Sequence, residues 1–226
     1  ADALWLVGDT SAEGALIQAF DDFKRPSMQK DTTMPEEFDI LRALGTCACK
    51  RGVDTVINYV KANPDLSIYV PDEVFCPLVR RGVLDVNKLA EMAVDSDGIH
   101  EYVRRASILA LGYLDAEMFA PVFLKSLASE SDELTKGHAV FFLGWAKTER
   151  ESAVESLRDL LTKSEKPYLA EQAAESLVRL DDRESLRLIE KTIERFGTAG
   201  ATSGLLRAVA RFRAPSTLQL LEKIYS

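Results

Sequence analysis

Three cysteines and two histidines are the residues of the chain best suited to bind a metal ion or act as nucleophiles. They are Cys47, Cys49, Cys76, His100 and His138. Zinc sites built from cysteines use two closely spaced pairs, whereas here a CxC sequence is followed by one distant thiol. On a helix, Cys47 and Cys49 would also point in different directions. We therefore expect buried, reduced thiols, and predict no metal site and no cofactor.

The common catalytic motifs are also missing from the sequence. It contains no glycine-rich phosphate loop, no nucleophile elbow and no plausible serine–histidine–aspartate set. We therefore predict no catalytic residue, and a binding protein is favoured over an enzyme.

Charged side chains of both signs lie on two stretches that have the spacing of helices, and they could contact a protein partner. The candidate partner-binding residues are Arg150, Glu151, Glu155, Arg158, Arg183, Arg187 and Lys191. The alternative interpretation is that these side chains are solvated and pair with neighbours at i, i+4 on their own helix.

Net charge narrows the classes of partner. The chain carries a net charge of −8, and residues 1–101 hold 10 Lys/Arg against 18 Asp/Glu. This acidity disfavours nucleic-acid binding, which needs a basic surface, and is compatible with a basic protein partner. No apolar run approaches the roughly 18 residues of a membrane-spanning helix, so no membrane association is predicted. The few, odd-numbered cysteines and the lack of a signal-peptide pattern favour the cytoplasm.

A repeated pattern must position these charges. Residues 102–130, 135–163 and 168–196 each contain a helix-length segment with an Ala/Leu-rich end, a short polar break with an acidic residue, and a second amphipathic helix. Weaker copies lie near 1–23, 36–63, 72–95 and 202–226. A period of this length is typical of two-helix solenoid units. We predict a single repeat domain over residues 1–226, with a truncated first pair, as a fragment of a longer array.

Small residues recur at one position of the pattern, at intervals of 30–37 residues. They are Gly8, Gly45, Gly82, Gly112, Gly144, Val178 and Ala210. We expect a small side chain there because the end of the first helix should lie close to the second helix.

The copies resemble HEAT repeats, most closely the short bacterial type found in phycobilin lyase subunits. The fourth copy carries the resemblance through Ala110-Leu111-Gly112, Asp115 and Ala120-Pro121, and the next through Leu143-Gly144. The resemblance implies an all-α fold, a right-handed superhelix (HEAT-like solenoid) of about seven helix pairs. The second helix of each pair would line its concave surface.

The resemblance indicates the fold much more specifically than the function, since HEAT repeats occur in scaffolds, transport factors and enzymes. We predict a non-catalytic protein–protein interaction scaffold that binds its partner on the concave face. Two alternatives stay open: a phycobilin lyase-like subunit that holds a linear tetrapyrrole, and an immunity or inhibitor protein for a basic partner. The first would use the aromatic residues Tyr113, Phe141, Phe142 and Trp145. The di-iron centre of HEAT-repeat hydroxylases is not expected, because His100-Glu101 has no second His-Glu pair.

Prolines and glycines predict the local interruptions. Residues 24–37 contain Pro26 and Pro35 and are expected to form an extended loop, and residues 197–204 a flexible connector. Pro77 should shorten or kink the helix that contains it. Pro121 should lie in a first helical turn, which places the start of that helix near Glu117.

Overall fold

The computed structural model describes residues 10–23, 36–47, 50–62, 70–94, 98–130, 132–200 and 203–212. Within these ranges the regular structure is helical, without a β-strand, and the fold is all-α as predicted. None of the helices in these ranges is long and apolar enough to cross a membrane. The α-helices are α1 (Glu13–Phe23), α2 (Glu36–Cys47), α3 (Lys50–Ala62), α4 (Cys76–Arg80), α5 (Val86–Val94), α6 (Glu101–Asp115), α7 (Ala120–Ser129), α8 (Glu133–Leu143), α9 (Arg150–Lys163), α10 (Pro167–Arg179), α11 (Leu186–Gly200) and α12 (Ser203–Arg211).

Apolar spacing and N-terminal caps explain why these segments are helical. In α9 the buried positions include Ala153, Leu157 and Leu161, which lie four residues apart on one face. The carboxylate of Asp132 caps α8 by accepting a hydrogen bond from the backbone N–H of Thr135, at 2.7 Å. The predicted helix start near Glu117 is wrong by three residues, because a turn over 116–119 precedes α7.

The chain falls into two compact units, residues 1–114 and 115–226. In the first unit, α2 packs against α1, α3 and α4, and against a short π-helical segment, Pro71–Phe75. The predicted distortion at Pro77 is confirmed there. The backbone N–H of Cys76 bonds to the Pro71 carbonyl five residues back, and only the five-residue α4 follows.

The second unit has two layers of helices. First helices of successive pairs contact one another, α8 with α10 and α10 with α12, and so do second helices, α7 with α9 and α9 with α11. Contacts between α7 and α8, α9 and α10, and α11 and α12 join the layers. Each helix thereby buries its apolar face against neighbours one pair away, as a solenoid requires.

The recurring small residues do not share the one role expected of them. A Cβ atom on Gly45 would lie 2.8 Å from the Glu73 carbonyl oxygen, and one on Gly144 would lie 3.1 Å from Ser176 Cα. Both glycines therefore make room for the first helix of the next pair, not for the second helix of their own. Gly82 instead adopts a positive φ of 71° in a turn, and Ala210 is exposed. Gly8 lies outside the described residues.

The loop and the connector that were predicted between helices differ from the structure at their ends. Residues 24–35 of the expected loop lie outside the described residues, whereas Glu36 and Glu37 already belong to α2. The connector expected over 197–204 is wrong at both ends, because α11 runs on to Gly200 past a break at Gly197 and α12 begins at Ser203. The break at Gly197 has a positive φ of 67°, which glycine tolerates.

Candidate functional site

An open groove of about 570 Å³ lies between the first half of α9 and the turn that joins α10 to α11; we call it groove 1. Five of the seven predicted partner-binding residues line it, while Arg187 and Lys191 are exposed on α11 outside it. The lining residues are Arg150, Glu151, Val154, Glu155, Arg158, Asp181, Asp182, Arg183 and Glu184.

Arg158 holds the two walls of groove 1 together. From α9 its guanidinium reaches Asp182 in a bidentate ion pair, with Nη2–Oδ1 and Nε–Oδ2 distances of 2.6 and 2.8 Å, and Glu184 at 3.0 Å. Asp182 is buried and also accepts a hydrogen bond from the Ser185 hydroxyl. The hydrogen bond with Asp182 raises the pKa of Arg158. This arginine is therefore a fixed part of the wall.

Arg150 also joins α9 to the turn after α10. Its Nη2 and Nε atoms donate to the Leu180 carbonyl at 3.1 and 3.3 Å, at the end of α10. Such a bond satisfies a carbonyl that the helix itself leaves without a donor. Both arginines thus bond across the junction between helix pairs, and pairing at i, i+4 does not account for them.

The carboxylates of Glu151 and Glu155 differ from these arginines. Both are exposed on α9, and neither takes part in an ion pair or hydrogen bond within the described residues. With three arginines and five acidic residues, the lining of groove 1 has a net charge of −2. The surface is therefore acidic where it can accept a partner, although the residues on it have mixed charge.

The turn beside Asp182 has a backbone conformation that few residue types tolerate. Asp181 has a positive φ of 50°, a region in which aspartate is several-fold enriched among non-glycine residues. A three-residue 3₁₀ turn, Arg183–Ser185, follows and leads into α11. This geometry places Asp182 inward against Arg158 and leaves Glu184 on the exposed rim, with 85% of its side chain accessible.

A second, smaller groove of about 320 Å³ occupies the equivalent place one helix pair earlier; we call it groove 2. Its lining residues are Asp115, Glu117, Met118, Pro121, Thr148 and Glu149. The hydroxyl of Thr148 donates to Glu117 Oε1 at 2.7 Å and so joins two successive turns. None of these residues was among the predicted site residues. The sequence feature that could have indicated this groove was the acidic residue in the polar break of each copy.

Comparison with known proteins gave one family match, over part of the chain. Residues 86–178 match the family model described as HEAT repeats. The repeats in these residues are HEAT-like. Neither the curated proteins nor the solved structures gave a match. The match does not extend to the phycobilin-lyase subtype.

Aromatic residues of the HEAT repeats form a cluster around Arg179. Its guanidinium carbon lies 4.4 Å from the ring centre of Phe141 and 4.5 Å from that of Trp145, and these two rings pack edge to face. Phe142 stacks on Phe123 within the same unit. Burial lowers the pKa of Arg179, with Glu175 opposing that effect. Arg179 thus covers part of the Phe141 and Trp145 rings that were considered for a tetrapyrrole, while Trp145 stays 40% exposed; Tyr113 belongs to the other unit.

The thiols of Cys47 and Cys76 are buried, as predicted, whereas Cys49 lies outside the described residues. The Cys76 Sγ donates to the Ala110 carbonyl at 3.5 Å. Burial, together with the charge of Asp72, raises its pKa to about 12. In the described ranges no group of three His, Cys, Asp or Glu residues could hold a metal ion.

Proposed function

We propose that the chain is a non-catalytic recognition module that binds a protein partner through groove 1 and the exposed side of α11. The observation that carries the proposal is the construction of the groove. Arg158 and Arg150 fix its walls, and Glu151 and Glu155 are left exposed on α9. A surface whose geometry is set before binding loses little conformational freedom when a partner arrives.

The family supports recognition more than chemistry, because HEAT repeats commonly mediate contacts between proteins. The character of groove 1 also suits a protein surface. Small-molecule sites are mostly apolar and enclose their ligand, whereas this groove is open and lined almost entirely by charged side chains. Arg187 and Lys191 are exposed on α11, which begins directly after the turn that lines the groove. We expect the partner to contact both helices.

A charge-exchange variant tests the proposal. Glu151→Lys, Glu155→Lys, Arg187→Glu and Lys191→Glu together leave the net charge unchanged, and all four positions are exposed. Arg150 and Arg158 stay unaltered because their bonds hold the repeats together. We expect the wild-type chain to retain a host protein on an affinity column, as identified by mass spectrometry, and the variant to lose it.

The matched control exchanges charges at two exposed positions outside groove 1. Glu165→Lys with Lys125→Glu is also neutral in net charge. The control should retain the partner, and its circular dichroism and that of the fourfold variant should match the wild type. A partner retained equally by all three chains would exclude this face.

A further inference from the structure

We infer that the partner presents an extended, basic segment, with arginine or lysine side chains three residues apart that enter groove 1 and groove 2. This inference rests on the proposed function and adds the chemistry of the partner. It follows from what each groove offers to a side chain and from the spacing between the two grooves.

Groove 1 offers two carboxylates beside the aliphatic stems of its charged side chains. Glu151 and Glu155 have no partner in the described residues, whereas Val154, which also lines the groove, is buried. Arginine and lysine carry a charged head on an apolar stem, so they match this combination. An acidic side chain would be repelled, because the lining has a net charge of −2 and its Arg150 and Arg158 are already bonded to Leu180 and Asp182.

Groove 2 offers carboxylates beside apolar side chains, without any basic residue in its lining. Asp115, Glu117 and Glu149 supply carboxylates, and Met118 and Pro121 supply apolar surface. Asp115 accepts bonds from the backbone N–H groups of the turn, which fixes its position. The recurrence of acidic lining in two successive pairs therefore points to one class of ligand side chain.

The repeat sets the spacing between the two grooves. Each groove lies between the start of a second helix, α7 or α9, and the turn of the following pair. Packed helices are about 8–10 Å apart. An extended polyproline II chain advances about 9.3 Å in three residues and returns to the same side. Side chains at i and i+3 of such a segment would therefore reach both grooves.

Synthetic peptides of alanine and proline test this inference directly. One carries two arginines three residues apart, a second carries them adjacent, a third carries one arginine, and a fourth has glutamates in their place. Binding to the ¹⁵N-labelled chain is measured at low salt from chemical shifts. We expect the first peptide to bind about two- to fivefold more tightly than the second and third, as exposed ion pairs allow. The glutamate peptide should not bind.

Paired substitutions locate the contacts. Each of two double substitutions should abolish the tighter binding that the second arginine gives the first peptide. They are Glu151→Gln with Glu155→Gln, and Glu117→Gln with Glu149→Gln. Glu91→Gln with Glu165→Gln makes the same change in net charge at exposed positions outside both grooves and should preserve the tighter binding. Binding that ignores arginine spacing, or that falls equally in the control, would overturn the inference.

The two proposals fail in different ways. If the host partner is lost from the charge-exchange variant while the peptides show no preference for spacing, the recognition function stands and the basic segment is wrong. If the peptides prefer the three-residue spacing while the charge exchange leaves host-protein capture unchanged, the grooves bind basic segments and the proposed partner face is wrong.

Discussion

The two compact units differ in which contacts dominate between successive helix pairs. In residues 1–114, the backbone of α2 at Gly45 lies directly against Glu73 and Val74 of the π-helical segment. In residues 115–226, arginine side chains cross from one helix pair to the next. Arg150 and Arg158 bond to the turn after α10, and Arg195 of α11 donates to the Leu161 carbonyl of α9 at 3.0 Å.

The difference shows how one repeat pattern can serve either packing or binding. A junction of backbone against backbone leaves no open space between the two segments. A junction of long side chains leaves an open groove beside the arginines, lined by the carboxylates that do not pair. Beside Gly45 in the first unit, Arg42 pairs with Glu73 at 3.1 Å, and both side chains are partly exposed. The candidate site accordingly lies in the second unit.

The largest expected effect is at the tight glycine. Gly45→Val places side-chain atoms against the backbone of residues 73–74, and overpacking of this kind should lower the free energy of unfolding by up to about 3 kcal/mol. Denaturant unfolding followed by circular dichroism measures the change, and hydrogen exchange localises it to α2.

Two other glycines are controls for this prediction. Gly14→Ala enters open space in α1 and should raise stability by about 0.5–1 kcal/mol through helix propensity. Gly144→Ala meets Ser176 at 3.1 Å and the Cδ of Arg179 at 3.2 Å, so its loss should be smaller than that at Gly45. Equal losses at Gly45 and Gly144 would refute the contrast between the two junctions.

Removal of the central arginine should have the next largest effect. Arg158→Ala leaves the buried Asp182 carboxylate without its cation, which should cost about 2 kcal/mol because Arg158 itself is 31% exposed. Hydrogen exchange should accelerate in α9 and in the turn after α10. Arg183→Ala breaks only an exposed pair with Asp181 and should change stability by less than about 0.5 kcal/mol. Similar losses in the two variants would show that Arg158 is not a structural bridge.

The buried thiol of the first unit should produce a smaller effect that is confined to alkaline pH. The unfolded thiol ionises near pH 9, whereas the folded Cys76 keeps its proton up to about pH 12. Its contribution to stability is therefore full below pH 9 and declines as the pH rises toward 12.

A double comparison isolates this effect. Both chains carry Tyr113→Phe, because burial also raises the pKa of Tyr113. Denaturant unfolding between pH 8 and 10.5 should then show a steeper loss of stability for the chain with Cys76 than for the chain with Cys76→Ala. Parallel pH profiles in the two chains would mean that the thiol is accessible to water.

The smallest expected effect concerns the aromatic cluster of the second unit. Arg179→Lys keeps the charge but removes the planar group from between Phe141 and Trp145, and should cost about 0.5–1 kcal/mol. Trp145 fluorescence should change in the folded state. Lys163→Arg, at an exposed position of α9, is the control and should leave both stability and fluorescence unchanged. Unchanged fluorescence would indicate that Arg179 does not lie on the indole.

Local patterns were sufficient for the helices and for the distortion at Pro77. Apolar spacing is a property of a few turns of chain, and proline acts on its own helix, so neither depends on distant residues. The position of Gly45 was also found, but its neighbour was not. The sequence suggested the second helix of the same pair, whereas stacking brings in residues 73–74 of the next.

The amino-acid sequence by itself determined the all-helical repeat, its HEAT-like pattern and the region that carries the candidate groove. Only the tertiary structure decided which charges are free. Arg158 and Asp182 are 24 residues apart, and Arg150 and Leu180 are 30 apart, so their bonds depend on how successive pairs stack. The composition does not show which arginines and glutamates are paired. In the stacked repeats, Arg150 and Arg158 form bonds within the walls of the groove, whereas Glu151 and Glu155 stay exposed. For that reason a face of mixed charge in the sequence became an acidic groove in the fold.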